Sequence, residues 1–188
     1  RVHPGDPGNQ TFLTPEFWQP MVETVHGTIV ECNTAYPGER NTTDAHRRTM
    51  IKHGWSKLFD VDILDAEGPD LELPIPNGKR IQKNLVGKDI KNYDSMLVLS
   101  PCKGPPMGGF GGALKQLSIG CASSAGKANI HGAGKPEEMW TTEQNAFLES
   151  MADAAESVVK LFDGKIVYIN VMKNMSVDCD CCAVAEAP

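Results

Sequence analysis

Three of the six cysteines, Cys179, Cys181 and Cys182, fall within four positions. Thiols this close in sequence do not form an ordinary disulfide framework among themselves, and clustered thiolates are the soft ligands that iron and zinc prefer. A cubane iron–sulfur cluster takes four cysteines, so a fourth must come from Cys121, Cys102, Cys32 or chain beyond Pro188. Cys179, Cys181, Cys182 and Cys121 are the expected metal ligands. Asp178 and Asp180 raise the thiol pKa by charge repulsion, which opposes a free reactive thiolate but matters less once a cation is bound. Inert buried thiols are the competing reading.

A second group surrounds the segment Pro-Cys-Lys-Gly-Pro-Pro-Met-Gly-Gly-Phe-Gly-Gly at residues 101–112. Gly109, Gly111 and Gly112 could turn backbone N–H groups toward an anionic cofactor or ligand at the start of the helix that resumes at Ala113. The alternative is a tight loop packed against a neighbouring strand. Leu114 stands where G-x-G-x-x-G needs its third glycine, and Gly120 to Gly126-Lys127-Ala128 is one residue too long for a Walker loop and lacks its hydroxyl. NAD and ATP are therefore not supported. Lys103 and Lys115 flank the loop and suit a carboxylate clamp or a desolvated base. His131 sits in Ile-His-Gly-Ala-Gly with no periodic apolar role, and reads as a site residue or as a surface imidazole on a flexible loop.

The elements that must position these groups alternate between strand and helix. Residues 28–32 and 61–65 are short β-branched runs, and the segment between them carries a helix capped by Thr42 or Thr43 and stopped at Gly54. Residues 68–93 read as a hairpin or surface excursion. Met96-Leu-Val-Leu99 has the uninterrupted apolar character of a strand buried on both faces, and it feeds the glycine-rich loop. Thr141 and Gln144 match a capping box ahead of Phe147, Met151, Ala154, Val158 and Leu161 at helical spacing. A strand over 165–172 then brings the cysteines just past its end. The expected fold is α/β: one loop-rich domain over 1–188, a mostly parallel sheet flanked by helices, and a fragment of a longer chain.

Composition narrows the partners. With 40% hydrophobic and 22% charged residues the chain is an ordinary globule long enough to bury a core without metal or disulfides. Its net charge of −6 argues against nucleic acid, which is gathered by concentrated Lys and Arg. No apolar run approaches the ~20 residues of a membrane span, so no membrane partner is expected. The thiol cluster points to a reducing, cytoplasmic setting.

Lys103-Gly104, Gly109-Phe-Gly-Gly-Ala-Leu-Lys115, Gly120-Cys-Ala-Ser123, Gly126-Lys127, His131 and Cys179-Asp-Cys181 together resemble the bacterial and archaeal domain of unknown function 362 family. The resemblance covers most of the chain. It implies an association with iron–sulfur clusters and with anaerobes rather than a particular reaction. The family is distantly similar to the N-terminal domain of the nickel-pincer lactate racemases, which implies that Lys115 and His131 fall where those enzymes attach the cofactor and build its metal site. The histidine expected ten residues before the lysine is Pro105 here, and a proline side chain neither binds metal nor moves a proton.

Three functions follow. The first expectation is a metal- or iron–sulfur-associated protein of redox character, with a redox partner and a pocket lined by the glycine loop, Lys115 and His131. The second is a racemase- or isomerase-like enzyme in which Lys103 and Lys115 clamp a small hydroxy acid or other carboxylate while His131 exchanges a proton. The third is a noncatalytic module that binds a small anionic ligand.

Overall fold

The computed structural model describes residues 1–68, 70–173 and 175. Cys179, Cys181 and Cys182 lie outside the described residues. The chain opens with a loop, then helix α1 (Pro15–Thr24), strand β1 (Ile29–Glu31), helix α2 (Thr43–Lys52), the short α3 (Trp55–Leu58) and strand β2 (Val61–Ile63). The hairpin β3 (Leu71–Pro74) and β4 (Lys83–Val86) precedes β5 (Met96–Pro101). After the glycine loop come α4 (Ala113–Lys115), a π-helical stretch at Gln116–Gly120, α5 (Ser124–His131), α6 (Gln144–Phe162) and β6 (Ile166–Val171).

The fold is α/β, and its strands form three pairs: β1 with β2 and β5 with β6 are parallel, while β3 with β4 is antiparallel. Arg1 extends the β5 ladder, its carbonyl accepting from Leu99 N at 2.9 Å and its backbone nitrogen donating to Leu97 O at 2.7 Å. Strands followed by helices bury both faces, and β5 accordingly keeps Val98, Leu99 and Ser100 out of solvent.

The helix termini follow local chemistry. Thr42 caps α2, its hydroxyl accepting from Ala45 N at 3.4 Å. The long helix starts later than a Thr141 capping box implies: Glu143 is its cap, and its carboxylate accepts from Asn145 N and Ala146 N at 2.9 Å each. The reading of His131 as a surface imidazole on a flexible loop is corrected as well. His131 closes the last turn of α5, whose N-cap Ser123 accepts from Gly126 N at 3.0 Å.

Two contacts tie the hairpin to α6. Asn84 donates to Ala154 O and Ser157 Oγ, and the buried Asp153 carboxylate accepts from Lys79 N, Arg80 N and Ile81 N at 3.0, 2.7 and 3.1 Å. Three amides on one carboxyl group anchor the turn between β3 and β4. Asp153→Ala is expected to lower the unfolding free energy by about 2–4 kcal/mol, measured by urea denaturation; a loss below about 0.5 kcal/mol would show that the turn holds itself.

Candidate functional site

The loops that follow β1 and β5 meet over a cavity of about 360 Å³. Thr34, Tyr36 and Arg40 enter it from beyond β1, Pro105 to Gly108 from beyond β5, Lys115 from α4, and Gln116, Ile119 and Gly120 from the π-helical turn. Crevices beyond the carboxyl ends of parallel strands are where α/β folds bind ligands, since the irregular backbone there can carry varied side chains. A π-helical turn in a functional helix has the same connotation.

The innermost group is Glu31, which β1 carries into the interior with 0% exposure. Its carboxylate is ion-paired with the Arg1 guanidinium and lies 3.9 Å from Arg40 Nη1. Burial raises the Glu31 pKa despite these two cations. Arg40 is anchored from the other side by Asp6 and donates to Tyr36 Oη at 3.3 Å, while Tyr36 Oη donates to Asp6 at 3.1 Å. Lys127, also buried, donates to Ala122 O at 2.6 Å, and burial lowers its pKa. Gly120 makes room for this arrangement: a Cβ there would stand 2.5 Å from Arg1 Nε.

The lining therefore carries Arg1, Arg40, Lys115 and Lys127 against the single carboxylate of Glu31. Asp6 faces Arg40 and the field of Asp65 reaches Lys127, so three buried cations, Arg1, Arg40 and Lys127, share the interior with one fully buried carboxylate and two at its margin. Gln116 carries an unmet demand. It is 4% exposed, lines the cavity, and neither Nε2 nor Oε1 has a hydrogen-bond partner.

His131 and Lys115 both line this cavity, as expected of site residues. The His131 ring stacks on Phe147 with centroids 4.8 Å apart, and its Nδ1 lies 2.8 Å from the Lys127 carbonyl. That bond makes Nδ1 the protonated nitrogen and Nε2 the basic one. Lys103 is placed elsewhere: it is buried, and its ammonium donates to Thr11 O at 2.9 Å, holding the N-terminal loop rather than lining the cavity.

The glycines serve backbone geometry. Gly109 adopts φ +64°, which glycine allows without strain. Gly111 pairs with Lys103 through N–H···O bonds of 2.7 and 3.0 Å, and Gly112 packs where a Cβ would meet the Phe110 ring at 2.8 Å. The amides of residues 109, 110, 111 and 113 all have acceptors within the protein, so the tight-loop reading describes this segment. The Ala113 amide donates to Asn170 Oδ1 at 3.0 Å, which puts the end of β6 at the same rim as the glycine loop.

Cys121 lies in the apolar core with Val86, Met96 and Val98, its thiol 3.9 Å from Met96 Sδ and its pKa raised by burial. Cys32 donates to the Cys121 carbonyl at 3.4 Å and is likewise held as a thiol by burial. Among the described residues no group of three His, Cys, Asp or Glu side chains is placed to hold a metal ion. No helix among them is long and apolar enough to cross a membrane.

Sequence reasoning missed Arg1, His3, Glu31, Arg40, Gln116 and Lys127. One signal was available: Glu31 is an ionised residue inside an otherwise apolar strand, and a buried carboxylate requires a partner. The fold is α/β, and its candidate site is a cavity with Arg1, Arg40, Lys115 and Lys127 among its lining residues. The chain belongs to the family described as "Domain of unknown function (DUF362)", whose model matches residues 1–188. No curated protein and no solved structure matches it.

The positive field has a consequence for pH. Burial, then Arg40 and Arg1, holds the His3 pKa well below 6.5, and burial, then Arg40, takes His46 to about 2. Both rings are neutral in the folded protein and protonate in the unfolded one, so stability falls as pH drops below 6.5. Each contributes about 1.4 kcal/mol per pH unit, and the raised Glu31 pKa offsets one of the two in the lower part of that range. Urea midpoints are expected to fall steadily from pH 6.5 to 5; a flat profile over that range would mean that neither ring is buried neutral.

Proposed function

We infer that the cavity binds a small organic acid, its carboxylate received by Arg1, Arg40 and Lys127, with His131 and Lys115 beside it for acid–base chemistry. The observation that carries this reading is the meeting of three buried cationic side chains, Arg1, Arg40 and Lys127, in the lining of one cavity. Guanidinium forks suit a carboxylate, and a dry site strengthens the attraction. His131, with its tautomer set by Lys127 O, is the natural proton acceptor, and Lys115 is the cation nearest to it in role. A proton-transfer enzyme acting on a hydroxy acid or related carboxylate needs these parts. The same cavity without turnover is a binding module.

A second reading rests on the thiols. Cys179, Cys181 and Cys182 within four residues support a transition metal or iron–sulfur cluster, in a reducing cytoplasmic or anaerobic setting, with electron exchange as its chemistry. Cys121 is a poor fourth ligand on its present footing, because its sulfur is enclosed by core side chains. Metal analysis and visible absorption of oxygen-free protein test this; metal-free, colourless protein, or a cluster unchanged in Cys181→Ser, would retire it.

The acid reading is tested by thermal melting and calorimetry with lactate, acetate and larger carboxylates. A bound acid at a hundred times its Kd is expected to raise Tm by roughly 5–10 °C. Lys127→Met, which removes a desolvated charge without opening space, is expected to weaken binding about tenfold or more while leaving the apo protein folded. Absence of any stabilisation across the series would sink the reading, and His131→Gln with unchanged turnover would remove the acid–base part alone.

A further inference from the structure

The cavity wall is chemically divided, and the division narrows the ligand. One part is the ion-paired set of Arg1, Glu31 and Arg40, with Lys127 nearby. The other belongs to an apolar cluster: Phe147 is one of its buried members, and Met107 and Ile119 pack against it. Trp140 completes that side and is 65% exposed, an unusual state for a large indole on a cavity wall. The π-helical turn joins the two parts, since Gly120 abuts Arg1 while Ile119 packs in the apolar cluster. Gln116, with both amide atoms unpartnered, stands on the same turn.

Size and shape follow. At ~30 Å³ per water-sized group, the cavity of about 360 Å³ holds roughly twelve non-hydrogen atoms. Acetate or phosphate would occupy only the charged part and leave water against Met107, Ile119 and Phe147. The exposed indole of Trp140 and the edge of the stacked His131–Phe147 pair favour a flat partner over a branched aliphatic one. An amide with a vacant donor and a vacant acceptor is suited to a hydroxyl, which both gives and takes a hydrogen bond.

We propose that the site is built for an aromatic carboxylate bearing a ring hydroxyl: the carboxylate lies among Arg1, Arg40 and Lys127, the ring against Trp140 and Phe147, and the hydroxyl at Gln116. This deepens the organic-acid reading and rests on it. Trp140 lines the cavity, so its fluorescence reports occupancy.

Calorimetry and tryptophan fluorescence with acetate, cyclohexanecarboxylate, benzoate and 4-hydroxybenzoate test it. Benzoate is expected to bind roughly 30-fold more tightly than acetate. It should also exceed cyclohexanecarboxylate, and 4-hydroxybenzoate should gain roughly a further fivefold. Trp140→Ala, at an exposed position that the fold does not need, should cost roughly tenfold on benzoate and nothing on acetate. Gln116→Leu should erase the advantage of the hydroxyl and leave benzoate unchanged. Equal affinities for acetate and benzoate, or aromatic binding indifferent to Trp140→Ala, would overturn the aromatic assignment while the acid reading stands. Failure of every acid to bind overturns both.

Discussion

Glu31 is the constraint around which the rest of the site is arranged. A carboxylate carried into the interior by β1 is tolerated only if cations meet it, because its desolvation costs several kcal/mol. Arg1 and Arg40 meet it, and each then needs its own support: Gly120 leaves space for the first, and Asp6 with Tyr36 holds the second. The chain therefore brings its N-terminal loop, the end of β1 and the π-helical turn to one point. Burial pushes the pKa values of Lys127, His3 and His46 downward, and Arg40 and Arg1 add to the effect at the two histidines.

Such a cluster is a poor way to make a protein stable, since an apolar replacement of a buried ion pair is often neutral or better. Its value lies in preorganisation. An anion entering a site whose donors are already fixed does not have to order them, so affinity is not spent on reorganisation. Gln116 fits the same logic, because an unsatisfied amide in the apo state becomes a satisfied one only when a ligand of matching polarity arrives.

Most of the regular elements were legible in the sequence, and the reasons are local. The apolar run of β5, the threonine cap of α2 and the periodic stripe of α6 each carry their own signal within a dozen residues. Helix α1 was concealed by Pro15 at its start and Pro20 inside it. Helix α5 was concealed by Gly126, which is there because a Cβ would stand 1.9 Å from Leu85 O, a tertiary demand that no short window displays. The site divides in the same way. Lys115 and His131 stood out beside the glycine loop. Arg40 and Lys127 looked like ordinary solvated cations, because what makes them unusual is burial supplied by segments far away in sequence.

Charge also bears on which of the expected chemistries belongs in the cavity. The family resemblance puts Lys115 and His131 on cofactor and metal positions, and both do line the cavity, yet Pro105 occupies the place where a further imidazole would stand. A divalent cation entering there would face Arg1, Arg40, Lys115 and Lys127, with one carboxylate already committed to Arg1. Coulomb repulsion in a low-dielectric site opposes that strongly, whereas a carboxylate meets the same field as attraction.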